Sequence, residues 1–128
     1  MEGIEATENI EHKKQMTAKK GTMRGLREDF REGTYKRDDW KCRVCGKPES
    51  KDCHLDAHHI TDRHEMPNDG YCLSNGISLC PNCHRKAEVW HESKHSTWVP
   101  NYHPDDLYAL IGSSHTQAVT DAQALSRR

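Results

Sequence analysis

The chain has 128 residues, of which 33% are hydrophobic, and its mean hydropathy is −1.05. This composition excludes a large apolar core, and the length indicates one small domain with tails. No stretch approaches the roughly 18–20 consecutive apolar residues of a membrane helix. Residues 1–20 are charged and polar where a signal peptide would have an apolar core. The sequence therefore predicts a cytoplasmic protein that is not exported and does not span a membrane.

The charges are segregated along the chain, although the net charge is only −1. Residues 11–47 contain twelve Lys and Arg against six Asp and Glu, whereas residues 48–128 contain seven against eleven. A basic segment can bind the phosphates of a nucleic acid, and an acidic segment rich in histidine can bind a metal. A solvated helix face explains the same charge pattern equally well.

The N-terminal half contains few regular elements. Residues 1–22 are predicted to form a flexible, charged and polar tail. Residues 23–30 are predicted to form a short helix, whose length is limited by neighbouring glycines. A strand is predicted at 55–60, followed by a loop over 61–76. The loop ends in the pair Asn75-Gly76, which is a strong signal for a two-residue turn.

The C-terminal half continues with a second strand and two helices. The strand is predicted at 77–79 and the first helix at 81–91, where a proline occupies the first turn. The second helix is predicted at 103–111, and residues 113–128 are predicted to form a polar tail. The central order is therefore strand, long loop, strand and helix.

Two Cys-x-x-Cys pairs are the strongest metal signal in the sequence. The pairs are Cys42 with Cys45 and Cys80 with Cys83. Each pair can present two thiolates to one ion, and four thiolates complete the tetrahedral shell of a structural Zn²⁺. In a reducing cytosol this spacing favours zinc over disulfides. Cys53 and Cys72 lie between the pairs and are interpreted as packing or spare thiols, with replacement of an assigned ligand as the alternative.

Three histidines near the cysteine pairs predict a second site. His58 and His59 are consecutive in the predicted strand, so one side chain can bind a metal while the other handles a proton. His84 follows Cys83 in the helix, which turns its side chain about 100° away from the zinc. We therefore expect His58 and His84 to share a second ion. Ordinary surface or core histidines are the alternative.

Glu88 is a candidate third ligand of this second site. It lies four residues beyond His84, which places both side chains on one helix face. Its carboxylate could bind the ion directly or orient His84. An exposed glutamate without a special role is an equally good interpretation.

These motifs resemble the HNH endonucleases, in the subgroup that has a ββα-metal fold and a four-cysteine zinc. The resemblance covers about residues 35–91 and rests on RDDWKCRVCGK, LDAHHI, and NG followed by ISLCPNCHRKAE. It implies that His59 is the general base, that His58 and His84 bind the catalytic ion, and that Asn75 holds the loop. Many family members carry histidine at the position of Glu88, and a carboxylate there favours harder ions.

The expected fold is a small α+β protein with a ββα-metal, or His-Me finger, core, built around one structural zinc and flanked by short helices and flexible tails. The nuclease domain is expected over 23–112. The resemblance implies DNA hydrolysis with one divalent ion, Mg²⁺, Mn²⁺, Ni²⁺ or Zn²⁺, at the scissile phosphate and leaving 3′ oxygen. A basic arm from Lys13 to Arg37 would bind the DNA backbone. Small proteins of this family are common in bacteria and phages, which implies a bacterial or phage-infected host cell.

Two other functions fit parts of the sequence. One is a non-catalytic zinc module that binds nucleic acid, and the presence of His58, His59, Asn75 and His84 argues against it. The other is a zinc scaffold for protein partners, which would need an exposed apolar patch that the composition hardly supplies. From the residues alone, Asn75 is equally well a plain turn residue.

Overall fold

The computed structural model describes residues 23–125. The predicted N-terminal tail, the part of the basic arm at 13–22 and residues 126–128 lie outside this range. The described residues divide into 23–29 and a larger unit, Phe30–Leu125. Four helices and one two-stranded sheet make up this part of the chain, which confirms the predicted α+β class. All tertiary contacts discussed below lie within the larger unit.

The first helix, α1 (Met23–Arg37), is longer than the predicted one, which ends at residue 30. A glycine lowers the stability of a helix by about 1 kcal/mol relative to alanine. At Gly33 the absence of a side chain allows Leu73 to pack closely against the helix. A side chain at this position would place its Cβ 2.8 Å from Cδ2 of Leu73. On the same helix Phe30 and Thr34 are buried, so tertiary packing stabilises a helix that glycine content alone would shorten.

Strands β1 (Asp56–His59) and β2 (Gly76–Leu79) form an antiparallel pair in which His58 lies opposite Ile77. The predicted loop between the strands contains three short 3₁₀ turns, and the predicted two-residue turn at Asn75-Gly76 is wrong, because Asn75 ends the third of them and Gly76 is already extended in β2. These turns are Arg63–Glu65, Pro67–Gly70 and Leu73–Asn75. Gly76 is the first residue of β2 and has an extended backbone. Helix α1 packs closely against it, since a Cβ added at this position would lie 2.6 Å from both Phe30 and Thr34.

Helix α2 (Pro81–Glu92) begins directly after β2, close to the predicted boundaries. Cys80 is the N-cap, and its sulfur accepts a hydrogen bond from the backbone N–H of Cys83. Proline is tolerated in the first turn because the backbone N–H that it lacks would have no acceptor within the helix. Ala87 is buried on the face that packs toward the strands. The second cysteine pair and His84 therefore share the first turn of one helix.

Two further helices, α3 (Pro104–Leu110) and α4 (His115–Gln123), follow. At the start of helix α3, Nδ1 of His103 accepts a hydrogen bond from the backbone N–H of Asp105, and the Asp106 carboxylate accepts one from the backbone N–H of His103. Helix α4 packs on the second and third 3₁₀ turns, and its Ala118 and Ala122 are fully buried. The structure thus differs from the predicted polar tail at 113–128. The sequence of this helix shows no stripe of large apolar residues, because its two buried residues are alanines.

The carboxylate of Asp38 connects α1, the first cysteine pair and β2. It is buried and accepts hydrogen bonds from the Arg37 guanidinium at 2.8 Å, from Arg43 at 3.1 Å and from the backbone N–H of Ser78 at 2.8 Å. Arg43 stands between the two cysteines of the first pair. A buried carboxylate needs such partners, since an unpaired charge in the interior is costly. The Asp38 contacts therefore hold the first pair against the sheet.

The apolar core is small and lies between the sheet and helices α2, α3 and α4. Its fully buried aliphatic residues are Ile60, Ile77, Leu79 and Leu107. Three of the four cysteines of the two pairs belong to the same buried cluster. Among the described helices, none has the length and apolarity to cross a membrane.

We predict that Gly76→Ala destabilises the protein by about 1–3 kcal/mol, the usual cost of forcing an extra group into a packed core. The new methyl group would collide with Phe30 and Thr34. Urea denaturation measures the change in the free energy of unfolding. Gly33→Ala is the matched control and should change stability less, because Leu73 is 45% exposed and can move. Equal losses in the two variants would contradict this interpretation of Gly76.

Candidate metal centres and catalytic cleft

The two predicted cysteine pairs converge into one cluster. The sulfur atoms of Cys42, Cys45, Cys80 and Cys83 all lie within 4.8 Å of one another. Sγ of Cys45 and Sγ of Cys80 are 3.7 Å apart, close to the roughly 3.8 Å edge of a tetrahedron with Zn–S bonds of about 2.3 Å. The donor set and the spacing therefore fit a structural zinc ion.

Backbone hydrogen bonds favour thiolate in part of this cluster. Burial alone would raise the pKa of Cys42, but N–H groups of Cys45, Cys80 and Val44 lower it to about 7. Burial raises the pKa of Cys83 to about 12, and the Tyr102 hydroxyl donates a hydrogen bond to its sulfur at 3.3 Å. Four thiolates need a cation to share this space, since their negative charges repel one another.

Cys53 and Cys72 lie outside the cluster. Both thiols are buried. Sγ of Cys72 lies 3.5 Å from the carbonyl oxygen of Ala118 on α4 and 3.6 Å from the hydroxyl of Ser74. Burial raises the pKa of the Cys72 thiol, as expected for a packing residue.

A second group of donors lies between β1 and α2. Nδ1 of His58 and Nε2 of His84 each lie 3.2 Å from the same carboxylate oxygen of Glu88. The three donor atoms fall within 4.8 Å of one another. Imidazole and carboxylate suit a borderline or hard divalent ion, and three protein ligands leave positions for water and substrate. This set fits a divalent ion.

The protonation of these groups follows from their contacts. Hydrogen bonds from His58 and His84 hold the pKa of Glu88 far below its usual range. Burial lowers the pKa of His58, whereas the Glu88 carboxylate raises that of His84. The structure thus brings the carboxylate of Glu88 into contact with both histidines.

Asp56 is a site residue that the sequence did not reveal. One of its carboxylate oxygens accepts a hydrogen bond from Nδ1 of His84 at 3.1 Å. This bond fixes the orientation of the ring and leaves Nε2 to face Glu88, which is the usual arrangement behind a metal-binding histidine. Strand alternation would have placed Asp56 on the same face as His58, and that is the signal that could have found it.

His59 lies between two aromatic rings. Its ring stacks on Phe30 with centroids 4.4 Å apart and meets the edge of Tyr71 at 5.1 Å. Burial lowers the pKa of His59 to about 4, and the neighbouring His58 and Arg63 side chains lower it further. The ring is therefore neutral near pH 7 and able to accept a proton.

One cavity of about 460 Å³ joins these groups. It is lined by His58, His59, His84 and Glu88, together with Arg63 and His91. From the sequence, His91 is only a weaker candidate for this site. Its Nε2 donates to the carbonyl oxygen of His59 at 3.2 Å, and it stands seven residues after His84, on the same face of α2. The cavity thus contains both a proton acceptor and a metal-binding set.

The side chain of Asn75 is fully buried and holds the segment that follows His59. Its Oδ1 accepts bonds from the backbone N–H of Thr61 at 2.9 Å and from the Tyr108 hydroxyl at 2.8 Å. Its Nδ2 donates to the carbonyl oxygens of Thr61 at 3.1 Å and Gly70 at 3.3 Å. These bonds give Asn75 a structural purpose beyond that of a turn residue.

Tyr108 of α3 completes this network from outside the predicted motif core. Its hydroxyl is 2.7 Å from Oγ1 of Thr61 and donates to Asn75. Burial raises the pKa of Tyr108 to about 12, so the hydroxyl keeps its proton. No spacing rule links residues 33 positions apart, and sequence reasoning therefore had no signal for this contact.

Residues 42–89 match the HNH endonuclease family. This stretch contains both cysteine pairs, both strands, Asn75 and the three donors of the second site. No curated protein matches the chain, and no solved structure does. The match and the four-cysteine cluster agree with the family resemblance inferred from the motifs.

We predict that Tyr108→Phe destabilises the protein by about 1–3 kcal/mol, because Asn75 and Thr61 each lose a buried hydrogen-bond partner. Thr61→Val provides the second arm of a double-mutant cycle. The valine should cost less in the Tyr108→Phe background than in the wild type, since the shared bond is already lost. Urea denaturation of the four proteins measures this coupling, and strictly additive losses would contradict the network.

Proposed function

Because residues 42–89 match the HNH endonuclease family, we propose that the protein is a metal-dependent endonuclease that hydrolyses phosphodiester bonds of DNA. The observation that supports this most is the shared cavity, where the neutral imidazole of His59 lies beside the donors of His58, His84 and Glu88. Hydrolysis of a phosphodiester needs a base for the attacking water and positive charge at the phosphate. The cavity offers both.

In this proposal His59 is the general base. It accepts a proton from a water molecule as the water oxygen forms a bond to phosphorus. The bond from phosphorus to the 3′ oxygen breaks, and the departing oxygen gains a proton from solvent. The products carry a 5′-phosphate and a 3′-hydroxyl. Phe30 and Tyr71 hold the ring, and Asn75 holds the backbone that follows it.

The divalent ion would be held by His58, His84 and Glu88. When bound, it would stabilise the charge on the phosphate and on the leaving 3′ oxygen. Asp56 orients His84 for this role through its bond to Nδ1. The carboxylate of Glu88 makes Mg²⁺ and Mn²⁺ better candidates than they would be at a site with a third histidine.

The proposed DNA-binding arm, Lys13 to Arg37, falls partly within α1. Its last residue, Arg37, is bonded to Asp38 and to the carbonyl oxygen of Gly76, so its role is structural. Arg31 and Lys36 are exposed on α1 and remain candidates for phosphate contacts. We further propose that the functional domain extends beyond residue 112, because α4 packs on the turn that contains Asn75.

We predict that the purified protein holds one tightly bound zinc ion and that Cys83→Ser loses it. A structural zinc site contributes about 10–16 kcal/mol in small zinc domains, so loss of a thiolate should also unfold the protein. Elemental analysis after desalting and circular dichroism measure the two effects. Cys53→Ser removes a thiol that is equally buried but outside the cluster, and it should keep the zinc. Zinc loss in both variants, or a folded wild type free of zinc, would contradict the assignment.

We predict that the wild type cuts supercoiled plasmid when a divalent ion is added, and that His59→Ala lowers the rate about 10²–10⁴-fold, the usual contribution of a general base. Mg²⁺, Mn²⁺, Ni²⁺ and Zn²⁺ are tested separately. His54→Ala is the matched control, since His54 is exposed and does not line the cavity. Both variants should retain the structural zinc.

A wild type that binds DNA and zinc but cuts with none of the four ions would refute the nuclease proposal. The protein would then be a zinc module that binds nucleic acid. Equal cleavage by wild type and His59→Ala would leave the activity in place and remove His59 from the role of base.

A further inference from the structure

Arg63 is the one cavity-lining cation whose charge the described structure leaves without a counterion. Its guanidinium lies over the ring of Tyr71, with Cζ 5.5 Å from the ring centroid. Its Nε is buried and has no hydrogen-bond acceptor within residues 23–125. A buried donor without an acceptor costs about 1–3 kcal/mol, so its presence calls for an explanation.

The position of Arg63 is tied to that of His59. The ring of Tyr71 contacts the edge of His59 at 5.1 Å and carries the Arg63 guanidinium on its face. Phe30 stacks on His59 and also meets Tyr71, with centroids 5.7 Å apart. The Tyr71 ring thus contacts both the Arg63 guanidinium and the proposed base, and Phe30 supports both rings. Cation–π contacts of this kind stabilise an arginine without using its hydrogen-bond donors.

Arg63 lines a cavity that is also lined by the three proposed metal ligands, His58, His84 and Glu88. A guanidinium presents a planar fork that matches two oxygens of a phosphate group. A divalent metal ion on one set of ligands and a guanidinium in the same cavity would provide two separate cationic groups for one phosphodiester.

We propose that Arg63 binds a nonbridging oxygen of the scissile phosphate and stabilises the charge that develops on it during attack by water. This inference rests on the proposed nuclease function and adds a catalytic residue to it. Arg63 acts on the phosphate directly, so it should affect both the binding of DNA and the rate of cleavage when DNA is saturated with enzyme.

The experiment compares Arg63→Ala, Arg63→Lys and the control Lys51→Ala with the wild type. Lys51 is exposed and lies outside the cavity, so its substitution removes one positive charge without touching the site. Binding of a duplex oligonucleotide is measured by fluorescence anisotropy from 50 to 300 mM NaCl, with no divalent ion added. Cleavage of supercoiled plasmid is measured under single-turnover conditions at saturating enzyme. Zinc content and circular dichroism verify that each variant is folded.

For Arg63→Ala we expect the slope of log K against log[NaCl] to become less steep by about 0.9, the value for one lost phosphate contact. We also expect the saturating cleavage rate to fall about 10²–10³-fold, as on removal of one oxyanion donor. Arg63→Lys should keep the slope and lose about tenfold in rate, because the charge remains and the fork is lost. Should the alanine variant fail to fold, the lysine variant carries the test. Lys51→Ala should change the saturating rate by less than about twofold.

Three results would overturn the proposal. An unchanged slope and an unchanged rate would show that Arg63 does not touch DNA. A reduced slope with an unchanged saturating rate would place the contact at another phosphate. A rate of Arg63→Lys equal to that of the wild type would exclude the role of the guanidinium fork. If the wild type cuts nothing, the nuclease proposal fails, and the binding slopes still report whether Arg63 contacts a phosphate.

Discussion

The buried carboxamide of Asn75 joins three segments whose mutual position determines the geometry of the cleft. It bonds both backbone groups of Thr61, the carbonyl oxygen of Gly70 and the hydroxyl of Tyr108. The backbone carbonyl oxygen of Asn75 also accepts a hydrogen bond from the backbone N–H of Ile60. The residue after His59 is thus held from two sides. The irregular loop between β1 and β2 lacks the regular backbone hydrogen bonds of a sheet. The Asn75 side chain supplies hydrogen bonds to its backbone groups in their place.

The two metal-binding sets are connected through β2 and α2. Cys80 and Cys83 belong to the first cluster, whereas His84 and Glu88 follow on the same helix and face the second. A metal on the cysteines would fix the start of α2, and the helix would hold His84 and Glu88, the proposed ligands of the second ion, in a defined position relative to it. In a chain with such a small apolar core, a metal ion at the helix start would supply rigidity that side-chain packing alone does not provide.

Local patterns predicted what depends on local chemistry. The cysteine spacing, the strand with two adjacent histidines and the proline-initiated helix all involve residues close in sequence, and the α+β class followed from them. Asp56 could have been found by strand alternation. The contacts of Phe30 and Tyr108 could not, because they join segments more than 25 residues apart and nothing in their surroundings marks a partner. Helix α1 extends through glycines for the same reason: the close approach of Leu73 and β2 outweighs their low helix propensity.

The contacts of Tyr108 also bear on how such a domain can be rearranged. The matched segment, 42–89, carries the proposed metal ligands and the proposed base, whereas Phe30 and Tyr108 come from either side of it. Recombination that transferred only this segment into another protein would move the reactive groups without the ring that stacks on His59 or the hydroxyl that bonds Asn75. Both flanks must therefore be inherited together with the motif, or be replaced by segments that supply an aromatic face and a hydroxyl donor at the same two places.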